Sequence, residues 1–86
     1  MKTFDDLVFK THRVSTEGVK AVLDLGNDIE VSVVGGPNMY GDGITTFEVA
    51  GWYKTLNKFV PLDGNDISRW KTKDEVTEII NKLENL

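Results

Sequence analysis

Three segments of the sequence alternate apolar and polar residues with a period of two, and this pattern constrains the fold more than any other feature. The segments cover residues 18–25, 28–33 and 45–53. Successive side chains of a β-strand point to opposite faces of its sheet, so each segment has one apolar face. The residues predicted to line the buried face of one antiparallel sheet are Val19, Ala21, Leu23, Leu25, Ile29, Val31, Val33, Phe47, Val49 and Tyr53.

The first two segments predict a hairpin, and the pattern also predicts its register. Residues directly opposite in an antiparallel pair must share a face. A two-residue loop would place Leu23 opposite Glu30 and mix the faces, whereas a three-residue loop that ends at Asp28 does not. The last loop position favours a left-handed backbone, and here it is not a glycine. The predicted pairs are Leu25 with Ile29, Leu23 with Val31 and Ala21 with Val33.

The C-terminal segment predicts an α-helix over residues 72–86. Thr72 is a suitable N-cap, and Glu75 three residues later completes a capping box. Asp74 and Glu75 also suit the positive end of the helix dipole. The apolar residues fall on one stripe, which should pack against the sheet; they are Val76, Ile79, Ile80, Leu83 and Leu86.

These elements predict an α+β fold in which an antiparallel meander of four or five strands carries one C-terminal helix on one face. The first strand is predicted over residues 7–13, and the last, over residues 58–62, lies at an edge because Pro61 cannot donate to a ladder. Residues 1–86 form a single domain, with the sheet at about 4–62, a connection at 63–71 and the helix at 72–86. Ile67 and Trp70 are predicted to pack the connection against the core.

Composition limits the possible functions of the chain. Its 86 residues support one domain with a thin core. The net charge of −4 is spread along the chain and argues against direct binding of nucleic acid, which needs a basic surface. The absence of cysteine excludes disulfides, thiolate metal sites and thiol nucleophiles. No apolar run approaches the roughly 20 residues that span a bilayer, and the acidic start differs from a signal peptide, so a cytoplasmic location is expected.

Catalytic and ligand-binding patterns are also weak. The only histidine, His12, lies in a predicted strand, and no serine stands in a nucleophile motif. Asp24 and Glu30 would stand opposite each other on the outer face, where a polar surface is the simpler interpretation than a metal site. The glycines at 35, 36, 41 and 43 match no phosphate-binding motif and precede a strand instead of a helix. We therefore expect no enzyme activity, no cofactor and no metal.

The loop VVGGPNMYGDG, residues 33–43, is the strongest candidate for a contact surface. Its glycines permit positive φ angles, and its large side chains either fold back over the thin core or project as apolar anchors for a partner. In the second interpretation the partner-binding residues are Asn38, Met39 and Tyr40. Trp52 is a further candidate, because it shares the outer face of the sheet with Val22, Val34 and Ala50.

The sequence resembles a group of short proteins, mostly of unknown function, that tailed phages and prophages encode. The shared segments follow the same order along nearly the whole chain and read FDDLVF, GVKA, GN, VSVVGGP, YGDG, FEVA and TKDEV. The chain departs from the group at residues 66–70, where a more acidic, glycine-containing connection is expected. The resemblance implies a viral origin and the cytoplasm of an infected bacterium, and it implies no reaction.

Two hypotheses from different classes follow. In the first, the chain is a small accessory protein that binds a host or phage protein through Met39, Tyr40 and Trp52. In the second, it is a homo-oligomeric structural or scaffold module that associates through its outer face. A nucleic-acid mimic that antagonises a host defence is a more distant alternative, based on the mild acidity alone.

Overall fold

The computed structural model describes residues 2–11, 18–37, 39–62 and 64–86, and these form an α+β fold with one C-terminal helix packed on an antiparallel sheet. A 3-10 helix at Phe4–Asp6 precedes the sheet. The strands are β1 (Lys10–Thr11), β2 (Val19–Asp24), β3 (Ile29–Gly35), β4 (Phe47–Tyr53), β5 (Lys58–Val60) and β6 (Ser68–Lys71), and the helix is α1 (Lys73–Glu84).

The sheet is a meander in the order β1-β2-β3-β4-β5, with every neighbouring pair antiparallel. The sixth strand, β6, also pairs with β4, beside its first residues, whereas β5 pairs with residues 51–53 of the same strand. The prediction of a plain connection over residues 63–71 was therefore wrong. β6 lacks the alternating pattern of a strand because its pairing to β4 contains a register shift between Phe47 and Val49.

The hairpin of β2 and β3 confirms the predicted three-residue loop. Leu23 lies opposite Val31 and Ala21 opposite Val33, and the N–H of Leu25 donates to the carbonyl of Ile29 at 2.9 Å. Asp28 takes the left-handed conformation, with φ of 69°, at the position where a glycine would be easiest.

Asp28 is tied to the neighbouring turn between β4 and β5. Its carbonyl accepts the N–H of Lys54 at 2.9 Å, and its carboxylate accepts the hydroxyl of Thr55 at 2.6 Å. Asp24 adds an ion pair to Lys54 at 2.5 Å. These contacts explain why an aspartate stands at the last loop position, because a glycine would leave the second turn without its carboxylate partner.

The core lies between the inner face of the sheet and α1. Its fully buried side chains come from β3, β4, β5 and the helix, and they include Ile29, Val31, Val33, Val49, Val60, Val76, Ile80 and Leu83. Gly51 allows α1 to approach β4 closely, since a Cβ at this position would lie 3.1 Å from the methyl groups of Leu83. The predicted buried face is confirmed except at Val19, which is half buried outside the core cluster, and Leu23 and Tyr53 pack at its margin.

The N-terminal segment lies beside α1, where a strand over residues 7–13 had been predicted. The N–H of Phe4 donates to the hydroxyl of Thr77 at 3.0 Å, and Thr3 and Asp6 form a capping box that turns the chain. Among the described residues of the predicted strand, only Lys10–Thr11 pairs with β2, and residues 7–9 lie outside any strand, so the first half of the prediction was wrong. The remainder of that prediction, His12 and Arg13, lies outside the described residues.

Both ends of α1 are held by side chains. Thr72 and Glu75 form the predicted capping box. At the other end, the side-chain amide of Asn27 donates to the carbonyls of Leu83 and Glu84 at 2.9 and 3.2 Å, which satisfies two of the carbonyls that a helix end leaves free. Leu86 was wrongly placed on the buried stripe, because the helix ends at Glu84 and leaves Leu86 64% exposed.

We predict that Ile80→Asp unfolds the domain. The change places an unpaired carboxylate in the seam between α1 and the sheet, where its burial costs about 4 kcal/mol or more, close to the whole stability of a small domain. Leu86→Asp is the matched control and should change the free energy of unfolding by less than about 0.5 kcal/mol. Thermal unfolding followed by circular dichroism tests both, and a cooperative native transition for Ile80→Asp would contradict the assigned helix face.

Candidate functional site

The glycine loop between β3 and β4 packs its backbone tightly against the start of β4. The N–H of Gly36 donates to the carbonyl of Gly41 at 2.9 Å, which closes the loop. A Cβ on Gly41 would lie 2.6 Å from the Cα of Phe47, and one on Gly35 would lie 2.5 Å from the Cα of Gly43. Glycine is therefore required here by close backbone approach as much as by positive φ.

Asp42 closes the second half of the same loop. Its Oδ1 accepts the N–H groups of Ile44, Thr45 and Thr46 at 2.8 to 2.9 Å, and its Oδ2 accepts the hydroxyl of Thr45 at 2.9 Å. These hydrogen bonds, that from the N–H of Thr46 above all, hold the pKa of the Asp42 carboxyl far below its usual value. The loop is thus a fixed platform for the residues that precede Asp42.

Tyr40 projects from this platform and is 48% exposed. The guanidinium of Arg69 lies over its ring, 4.4 Å from the centroid. The carbonyl of Tyr40 accepts the N–H of Trp70 at 2.9 Å, which joins the loop to β6. Tyr40, Arg69 and Trp70 therefore form one group at the surface, called here the Tyr40 cluster.

The other two loop candidates contribute less. Met39 is half buried, and its N–H donates to the carbonyl of Gly36 at 3.2 Å. Asn38, also predicted as a partner-binding residue, lies outside the described residues. The hypothesis that the loop projects apolar anchors toward a partner thus depends mainly on Tyr40.

Trp70 was predicted to pack against the core, and that prediction was wrong. Its side chain is 57% exposed, and its backbone is left-handed with φ of 55°. A bulky residue in this region stores about 1 to 3 kcal/mol of strain, which the surrounding hydrogen bonds must hold. The irregular pairing of β6 with β4 turns Trp70 away from the core, an effect that bulges beside functional sites commonly have.

Trp52 lies on the outer face of the sheet, half buried against Phe59. The two rings meet edge to face with centroids 5.0 Å apart and an interplanar angle of 88°. Phe59 stands directly opposite Trp52 on β5 and is 39% exposed. The ring contact of Trp52 is with Phe59, and within the described residues no ring or cation–π contact joins it to the Tyr40 cluster.

The outer face carries a mixed set of side chains. Val22 stands beside Ser32, which stands beside Ala50, and the next row holds Asp24, Glu30 and Trp52. The predicted opposition of Asp24 and Glu30 is confirmed, and the ammonium of Lys54 already pairs with Asp24 and lowers the pKa of its carboxyl. In the described part of the chain, no group of three or more potential ligands is placed to hold a metal ion.

Sequence reasoning missed Arg69, Trp70 and Phe59 as surface residues. Phe59 was assigned to a strand, and its alternation with buried Val60 is a signal that it faces outward. Arg69 and Trp70 offered no comparable signal, because a long-range pairing and a left-handed residue decide where they point.

Comparisons with protein-family models, with curated proteins and with solved structures find no match to this chain. None of the helices within the described residues is long and apolar enough to cross a membrane.

Substitutions at Trp70 should reveal its strained backbone. Glycine in a strand is normally less stable than alanine, but at a φ of 55° alanine keeps the strain and glycine removes it. We predict that Trp70→Gly is more stable than Trp70→Ala by about 1 kcal/mol. Urea unfolding of the two variants measures the difference, and an alanine variant that is equally stable or more stable would show that the position is not strained.

The contribution of Asp42 should depend on pH. A carboxyl whose pKa is lowered by folding stabilises the native state above its usual pKa of 3.8, and this contribution is lost as the pH falls through the lowered value. We predict that Asp42→Asn lowers the melting temperature at pH 7 and that its gap to the natural protein narrows below pH 3.8. Melting curves over that range test the prediction, and a gap that is constant with pH would contradict it.

Proposed function

We propose that this chain is a small protein-binding module and that the Tyr40 cluster, with Met39 beside it, is its contact surface. One observation carries the proposal: an exposed Tyr, Arg and Trp lie together on a strained and tightly bonded backbone. Trp, Tyr and Arg are the residue types that carry most of the binding energy at protein interfaces. A rigid platform reduces the entropy that such anchors lose on binding.

The proposed setting is that of a phage accessory protein in the cytoplasm of an infected bacterium, with a host or phage protein as the partner. Its support is the resemblance of segments such as VSVVGGP and YGDG to the phage-encoded group. The YGDG segment contains both Tyr40 and the Asp42 that fixes the loop. The role proposed is binding, and no reaction is proposed.

Self-association through the outer face is a second candidate, favoured by the exposed Val22 and by the Trp52–Phe59 pair. Of the residue types that carry most of the binding energy at interfaces, the Tyr40 cluster contains Tyr, Arg and Trp, whereas the described residues of the outer face contribute Trp52 alone. This candidate therefore ranks below binding at the Tyr40 cluster.

An affinity pull-down from lysate of infected and uninfected bacteria tests the proposed function. The natural protein is compared with Tyr40→Ser, with Trp52→Ser and with Leu56→Ser, a matched control at a 60% exposed apolar residue in the turn between β4 and β5. We expect a partner that is lost with Tyr40→Ser and retained with the other two, because Trp52 and Leu56 lie outside the Tyr40 cluster. Circular dichroism confirms that each variant folds.

Two results would contradict the assignment. A partner that binds Tyr40→Ser as well as it binds the natural protein would remove the Tyr40 cluster as the contact surface. Recovery of the chain alone, together with a dimer mass in light scattering that Trp52→Ser abolishes, would favour self-association through the outer face.

A further inference from the structure

We infer that the Tyr40 cluster recognises an acidic peptide segment of its partner, in which an aspartate or glutamate pairs with Arg69 and an adjacent apolar residue packs on Trp70. This inference rests on the proposed function and adds the chemistry of the partner. It depends on three features of the cluster: the charge of Arg69, which has no carboxylate partner among the described residues, the contact of its guanidinium with the Tyr40 ring, and the exposed side chain of Trp70.

Arg69 has no carboxylate within ion-pair distance among the residues that the structure describes. The chain contains fourteen acidic residues and ten basic ones, so carboxylates are abundant elsewhere on its surface. The cation nearest in sequence, Lys71, lies 4.0 Å from Glu75, and Lys54 pairs with Asp24. Arg69 is thus a cation that a carboxylate from outside the described chain can pair with.

Tyr40 holds that cation at the surface. The guanidinium carbon lies 4.4 Å from the ring centroid, and this cation–π contact leaves the N–H edges without a hydrogen-bond acceptor among the described residues. Those edges form the planar fork that binds a carboxylate through two parallel hydrogen bonds. A lysine would lack both the stacking face and the fork, so the geometry suits a carboxylate more specifically than the charge alone.

The backbone holds the cluster in place. Arg69 and Trp70 are adjacent on β6, and the hydrogen bond from Trp70 to the carbonyl of Tyr40 fixes the loop against that strand. Asp42 accepts four hydrogen bonds from the next turn of the same loop. The arginine and the exposed indole are therefore anchored at consecutive backbone positions, the spacing of an acidic residue and an adjacent apolar residue in a short segment.

Single-stranded nucleic acid is the competing occupant, because its phosphates attract arginine and its bases stack on aromatic rings. Two observations disfavour it. The net charge of −4 opposes a polyanion, and within the described residues the cluster itself contains one cation. A nucleic-acid groove needs several cations along a backbone, whereas one oriented fork is suited to one carboxylate.

Selection from a displayed library of random twelve-residue peptides tests the inference. The natural protein is the bait, and Arg69→Gln and Leu56→Ser are selected in parallel. We expect the natural protein and Leu56→Ser to enrich peptides with Asp or Glu next to an aromatic or aliphatic residue. Arg69→Gln should not enrich them, because it removes the charge and the fork.

Affinity measurements then separate charge from geometry. A labelled peptide from the selection is titrated by fluorescence anisotropy against the natural protein, Arg69→Lys and Arg69→Gln. We expect affinity to fall about tenfold or more for Arg69→Gln and nearly as far for Arg69→Lys. Replacement of the peptide's acidic residue by its amide should weaken binding to the natural protein similarly and should have little effect on Arg69→Gln.

The outcomes distinguish this inference from the proposed function. Enriched peptides that lack carboxylates but still need Tyr40 for binding would overturn the inference of an acidic partner. The proposal of a protein-binding module would stand. Peptides that bind Tyr40→Ser as well as they bind the natural protein would overturn the cluster as a site. Failure to enrich any peptide would overturn the inference that the cluster binds a short acidic segment. Binding of a twelve-nucleotide oligothymidine that Arg69→Gln abolishes would overturn it in favour of nucleic acid.

Discussion

The packing of α1 on β3 and β4 is the contact on which the rest of this structure depends. Val76, Ile80 and Leu83 lie fully buried on the inner face, and Gly51 lets the helix approach the sheet. Residues far apart in sequence hold the helix there. The Thr77 hydroxyl accepts the N–H of Phe4, and the side-chain amide of Asn27 donates to the last backbone carbonyls of α1. Because the core of a chain this small is thin, the helix, the N-terminal segment and the first hairpin stabilise one another and should unfold together.

Most of the sheet and the helix could be predicted from the sequence because local and long-range constraints agree there. A half-buried strand alternates apolar and polar residues, and a capped helix on a sheet carries one apolar stripe. Paired residues must share a face of the sheet, which selects one register, as at Leu23 and Val31. The predictions failed where a tertiary contact overrides the local pattern. The 3-10 helix at Phe4–Asp6 replaces part of a predicted strand because its backbone is bonded to α1. Strand β6 pairs with β4 across a register shift that no periodicity reveals.

The candidate site was only partly accessible to sequence reasoning, for the same reason. Tyr40 could be selected because a large ring in a glycine-rich loop is unusual, and the structure places it half exposed. Its neighbours Arg69 and Trp70 come from a segment 29 or more residues away, and only the pairing of β6 brings them beside it. Trp52 was selected by its parity in β4, and its position on the outer face agrees with that argument, but parity carries no information about distance from Tyr40.

The strain at Trp70 gives the strongest reason to connect this surface with function. A thin core leaves a small margin of stability, and about 1 to 3 kcal/mol of backbone strain is a large part of it. A glycine at this position would remove the strain, and the exposed indole contributes little to the core that would be lost. Sequences usually agree with their fold at every level, and local violations concentrate where a function requires them. Trp70 is strained, exposed and absent from the core cluster, and it follows an arginine that lies over a tyrosine ring; the proposed binding surface would account for all of these features.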